Sequence, residues 1–144
     1  MILIFLGLMA VAILLIGGLA MASDKPIETN DILPWPDKFD FGTLVGLAQS
    51  VGFSGSNATT AAAIALAESS GDPKAQGDFD PNGQPTSLGL WQIHFTVHPE
   101  FDSAQLTDPV YNAQAAFTLY NRRGGNFTDW TTYKTGAYKN FLQG

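Results

Sequence analysis

From Phe41 to Gly71 the chain carries a single charged residue, Glu68. A segment so poor in charge has too little polar surface to remain in water, so it must supply the interior of whatever forms. Its apolar residues recur at a helical period. Leu44, Leu47, Ala48 and Val51 fall on one face of a first helix running from about Asp40 to the turn GFSGS. A second helix starts near Ser56 or Asn57, either of which can act as N-cap, and stops at Gly71 with Pro73 just beyond. Glu68 lies in its last turn and shares a face with Ala65, Ile64 and Ala61. Its carboxylate is therefore set among small apolar groups.

Desolvation disfavours the charged form of such a group and raises its pKa. A carboxylic acid kept protonated near neutral pH can give a proton to a leaving oxygen, which is what cleavage of a glycosidic bond asks of its general acid. The competing reading is a Glu turned to solvent at a helix C-terminus, where its charge is mildly unfavourable.

The rest of the chain sets the frame. With 144 residues, 45% of them hydrophobic, it can build one compact domain. A net charge of −6 without any basic stripe argues against nucleic acid as a partner. The absence of cysteine removes disulfides, thiolate metal sites and Cys nucleophiles together. Residues 1–22, MILIFLGLMAVAILLIGGLAMA, are uncharged and exceed the roughly 20 residues that span a bilayer as a helix. They read as an uncleaved transmembrane anchor. A signal cleaved after AMA is the alternative, but the basic start of such signals is missing. Residues 23–39 carry three prolines and mixed charges and read as a linker. Trp35, between Pro34 and Pro36, is either a clamp on the domain or a residue at the lipid interface.

After the Glu68 helix, Asn82-Gly83 signals a two-residue hairpin between short extended pieces. ALAESSGDPKAQ, then SLGLWQI, then WTTYKTGAY resemble the three successive signatures of the soluble lytic transglycosylases and goose-type lysozymes of the lysozyme-like superfamily. The resemblance spans roughly 40–142 and is closest to small wall-degrading domains of phage and bacteria. It implies that Glu68, followed by Ser69, is the catalytic acid. It also implies that Ser87, Gly89, Leu90, Trp91 and Gln92 belong to a segment lining the glycan cleft, and that the Tyr133 hydroxyl sits beside the catalytic carboxyl. Lys134 stands where the family carries Asn. A cation beside Glu68 would oppose the raised pKa, so Lys134 is expected to point away or to contact sugar.

Read from their chemistry alone, Trp91 offers a flat face to a pyranose or fills the core, while Gln92 and Ser87 offer donors and acceptors. Asp78 or Asp80 is the candidate second carboxylate if the reaction is hydrolysis. DFDPNG from Asp78 matches the opening of a calcium loop through Asp78, Asp80 and Asn82, but Gly89 occupies the position that needs a bidentate Glu. His94 and His98 have the spacing of a zinc motif, but Phe95 replaces its Glu, so they read as surface or capping residues. No metal or cofactor is expected. TDPVYNAQAAFTLYNRRGG reads as a helix capped by Asp108 and stopped by Gly124-Gly125. Val110, Ala113, Phe117 and Tyr120 form its inward stripe, with Asn112 and Gln114 facing solvent or, as the alternative, reaching the glycan cleft. A short helix from about Thr128 carries Trp130 and Tyr133 towards Glu68.

The expected fold is α+β, mainly α: a lysozyme-like domain with a small β-hairpin over 40–144, preceded by the transmembrane helix. The expected function is a membrane-anchored peptidoglycan lytic transglycosylase, acting on glycan strands outside the cytoplasm or from within a virion. Other virion or envelope proteins are possible partners. A muramidase, and a non-catalytic virion or envelope protein with the same fold, are the other readings.

Overall fold

A computed structural model describes residues 35–142. Helix α1, Phe41–Val51, opens at Asp40, whose side chain accepts a hydrogen bond from the Thr43 amide at 2.7 Å. Helix α2, Ser56–Ser69, is entered through Gly55, and no side chain caps it. Neither Ser56 nor Asn57 is its cap, because the turn leaving α1 brings Gly55 to that position at φ 53° and places Ser56 inside the first turn. Ala58, Ala61, Ala62, Ala63, Ile64 and Ala65 are all fully buried, so α2 is enclosed on every side as the central helix of the domain. Alanine suits that place, since it orders without losing rotamer freedom and lets neighbouring backbones approach.

The extended segments form a three-stranded antiparallel sheet in the order β1 (Gln76–Phe79), β2 (Pro85–Leu88), β3 (Ile93–His94). Gly77 pairs with Ser87, and Leu88 with Ile93. Asp80 organises the turn between β1 and β2: its Oδ1 accepts from the amides of Asn82 and Gln84, each at 2.8 Å. Strand β3 was not anticipated, because two residues cannot display a period.

Helix α3, Pro109–Arg122, has the predicted Asp108 cap, which accepts from the Tyr111 amide at 2.8 Å. Ala113 and Tyr120 are buried, whereas Val110 and Phe117 pack partly buried against the core. Asn112 corrects the expectation of a solvent residue, being fully buried. Its Oδ1 accepts from the Trp91 amide at 2.8 Å, and its Nδ2 donates to the carbonyls of Leu88 and Leu106 at 3.0 and 2.9 Å. Helix α4 is Thr131–Thr135, starting later than expected, and a 3-10 turn follows at Ala137–Phe141.

An aromatic cluster binds these parts. Phe53 meets Phe117 edge-on with centroids 4.9 Å apart and stacks on Phe127 at 5.7 Å, while Tyr120 lies 4.6 Å from Phe127. Trp91 joins sheet to helix by donating its indole N–H to the Ala61 carbonyl at 2.9 Å, and Trp130 donates to the Trp91 carbonyl at 2.8 Å. Deleting a side chain buried like Trp91 costs about 3–5 kcal/mol.

Among the described residues no helix is long and apolar enough to cross a membrane; the anchor expected at 1–22, and the linker as far as residue 34, lie outside them. Trp35 packs against the Phe39 ring with centroids 5.8 Å apart and stays half exposed. The buried Phe39 donates its amide to the Gly71 carbonyl at 2.8 Å.

Candidate active site

The last turn of α2 brings Glu68 to the edge of a cavity of about 400 Å³, within the size range of small-ligand sites. Asp78 and Gln92 line the same cavity, together with His94 from β3 and Asp129, Trp130, Thr131 and Thr132 at the start of α4. The hydroxyl of Thr132 donates to Glu68 Oε1 at 2.6 Å. Burial pushes the Glu68 carboxyl above its ordinary value of 4.5; the Thr132 hydrogen bond pulls the other way, and the charge of Asp78 adds to the rise. This is the environment its place in the sequence led us to expect.

Asp78 is held firmly. The Ser87 hydroxyl donates to its Oδ2 at 2.6 Å, the Thr86 hydroxyl donates to its backbone carbonyl, and its φ is 50°. Gln92, at φ 46°, is the other non-glycine residue on this cavity with a left-handed backbone. Such conformations cost about 1–3 kcal/mol unless the surroundings hold them, and they gather at functional sites. Here the Gln92 carboxamide is tied down, Nε2 donating to the carbonyls of Ala75 and Gly89 at 3.0 Å each. Its Oε1 lies so close to Gly77 that a Cβ there would collide with it.

Other expected site residues are placed differently. Trp91 and Leu90 are fully buried, so Trp91 is a core aromatic with no face for a sugar. Ser69 is buried and returns its hydroxyl to the Ala65 carbonyl at 2.8 Å, a bond within α2. Ser87, also fully buried, reaches the cavity only through Asp78. Gly89 is needed for packing: at φ 81° it sits against Asn112 and the Leu106 carbonyl, where any side chain would collide. The Asp80 carboxylate is engaged by the hairpin amides and does not line the cavity.

The hydroxyl bonded to Glu68 belongs to Thr132, not to Tyr133. Tyr133 lies one residue further along α4, stacked on Tyr138 with centroids 5.1 Å apart, and lines a separate concavity with Lys134. Lys134 thus points away from Glu68, one of the two outcomes its charge allowed. His94 and His98 together line a small pocket of about 50 Å³ next to Asp129 and Trp130. His94 also lines the Glu68 cavity, with Nδ1 3.0 Å from the Thr96 hydroxyl, whereas His98 sits 3.7 Å from Glu100. Asp129 and Thr132 went unrecognised in the sequence, and His94, expected there as a surface or capping residue, lines the cavity instead. Their only signal is position, since β3 is two residues long and the role of Thr132 depends on the residue at which α4 begins.

A family model described as a lysozyme-like domain matches residues 45–132, well over half of the chain, and its span runs from α1 to Thr132. No curated protein and no solved structure matches the chain.

Proposed function

The chain belongs to the lysozyme-like domain family, whose members act on peptidoglycan, and from that premise we propose that it is a lytic transglycosylase cleaving the β-1,4 bond between MurNAc and GlcNAc. The observation that carries the proposal is Glu68, a carboxyl raised by burial, bonded to a hydroxyl and open to a cavity. Protonated, it gives its proton to the glycosidic oxygen as the bond from that oxygen to C1 of MurNAc breaks. Ionised, it then takes the proton from the C6 hydroxyl of the same MurNAc, and the bond from O6 to C1 closes a 1,6-anhydro ring. Thr132 serves both states, because its hydroxyl donates to the carboxylate and accepts from the acid. Asp78, negative across the cavity, favours the positive charge that develops at C1.

Asp78 also carries a second reading. A carboxylate fixed by Ser87 on the same cavity as the acid has the place of the water-activating or nucleophilic group of a muramidase. Asp80, engaged in its turn, has not. Zymography on peptidoglycan with wild type and Glu68→Gln tests the shared step: clearing by wild type alone is expected, and equal clearing by both refutes it. Mass spectrometry of the products then separates anhydro ends from reducing ends. The former support the transglycosylase; the latter, lost in Asp78→Asn, support the hydrolase.

On the same reading, the uncharged segment 1–22 holds the domain at a membrane, with the domain outside the cytoplasm or inside a virion. A net charge of −6 opposes adsorption to an anionic wall, and tethering supplies a high effective concentration in its place. Fractionation with an antibody to the domain would place the protein with membranes or particles; recovery in a soluble fraction would overturn this assignment.

A further inference from the structure

Beside the Glu68 cavity lies a second concavity, an open shelf of about 420 Å³ on the other side of α4. Its floor is the stacked pair Tyr133 and Tyr138, and its rim carries Lys134 and Lys139. Gly136 ends α4 in the left-handed conformation at φ 79°, and the aliphatic stem of Lys139 lies next to it. The shelf shares α4 with the site: Tyr133 follows Thr132, whose hydroxyl meets Glu68, and successive helical side chains diverge by about 100°.

The charge of this shelf runs against that of the molecule. The chain has 13 acidic residues and 7 Lys and Arg. Arg122 is paired with Glu100 and Arg123 with Asp129, whereas Lys134 and Lys139 enter no ion pair among the described residues. Among the described residues no carboxylate lines the shelf. The cavity beside it is lined by Glu68, Asp78 and Asp129 and, among the described residues, by no lysine or arginine. Asp129 is held by Arg123, so repulsion of an anion there comes chiefly from Asp78. An uncharged glycan can enter an acidic cavity, but the carboxylates attached to it are repelled there and must lie elsewhere.

We propose that the Tyr133–Tyr138 shelf, with Lys134 and Lys139, binds the carboxylate-bearing peptide stem of the muramyl residue undergoing cleavage. The inference rests on the function proposed above. It goes further by assigning a second subsite, in which ammonium groups meet stem carboxylates and tyrosine rings cover the aliphatic parts of the stem.

The test measures binding, so that it stands apart from cleavage. In the Glu68→Gln background, Lys134→Gln and Lys139→Gln are combined, and affinity is measured by titration calorimetry with intact peptidoglycan solubilised as uncross-linked strands. The same strands freed of peptide by an amidase, which leaves only the lactyl carboxylate on each muramyl residue, are titrated alongside. Both lysines are exposed, so the variant folds. Affinity for intact peptidoglycan is expected to fall about five- to tenfold, as two partly solvated ion pairs allow, and the loss should shrink as salt is raised. Stripped strands should bind both proteins equally. Unchanged affinity for intact peptidoglycan overturns the proposal. So does an equal loss on both substrates, which would mean that the lysines read the glycan or another anionic wall polymer. Failure of wild type to clear a zymogram would sink the enzymatic reading alone, since the binding difference is read without it.

Discussion

Replacing Asn112 by alanine should destabilise the domain severely, although the residue touches no ligand. Its carboxamide satisfies the amide of Trp91 and the carbonyls of Leu88 and Leu106 in a fully buried position. Removing it strands one donor and two acceptors, and a buried polar group left unpaired costs about 1–3 kcal/mol. The two carbonyls, with spare lone pairs, sit at the low end of that range and the Trp91 amide higher, so the loss should be about 3–5 kcal/mol. For a domain of this size that corresponds to a fall in Tm of roughly 12–20 °C. Thermal and urea unfolding followed by circular dichroism measure it. The site should also loosen, because the next residue, Gln92, is held in a left-handed backbone on the cavity. Peptidoglycan clearance, read below the lowered Tm, should therefore weaken as well. A loss below about 1 kcal/mol would refute the reasoning, since it would mean that water or a small shift satisfies all three groups.

Three further outcomes follow from the site. Thr132→Val removes the bond that favours ionised Glu68, so the carboxyl rises further and the alkaline limb of the kcat/KM profile should move to higher pH; an unmoved limb would show that Thr132 does not act on the acid. Because the Glu68 pKa is raised on folding, the stability it contributes is fully present below its unfolded value and lost as pH rises through the folded one. Glu68→Gln should therefore raise Tm at pH 7, with the gain disappearing below pH 4.5; a lower Tm at pH 7 would contradict the cause assigned to the shift. Asp80→Ala removes the acceptor for two turn amides and should cost about 1 kcal/mol in urea unfolding while leaving kcat unchanged, whereas a collapse of kcat in folded protein would restore Asp80 as a catalytic carboxylate.

What the sequence disclosed was whatever depends on local chemistry. Asp40 and Asp108 mark their helices because capping involves neighbouring residues. Asn82-Gly83 marks the turn for the same reason, but the Asp80 amide bonds to the Gln84 carbonyl and closes a loop of three residues, 81–83, where two were expected. Glu68 was visible because a lone charge in an apolar helix has no local explanation. Asn112 and Trp91 were misjudged or left open because all their partners but Leu106 lie 21 to 39 residues away, and no pattern in their own segments distinguishes a cleft from a core. Thr132 failed to show for a related reason. Whether it or Tyr133 meets Glu68 depends on where α4 starts, and a shift of one residue turns a helical side chain by about 100°.

The bond between Phe39 and Gly71 has a mechanical consequence. It fastens the segment that enters the domain to a point three residues beyond Glu68. A pull applied ahead of residue 39 is therefore shared between α1 and the end of the helix that carries the acid. On the anchoring proposed above, that fastening is the place where tension would reach the chemistry.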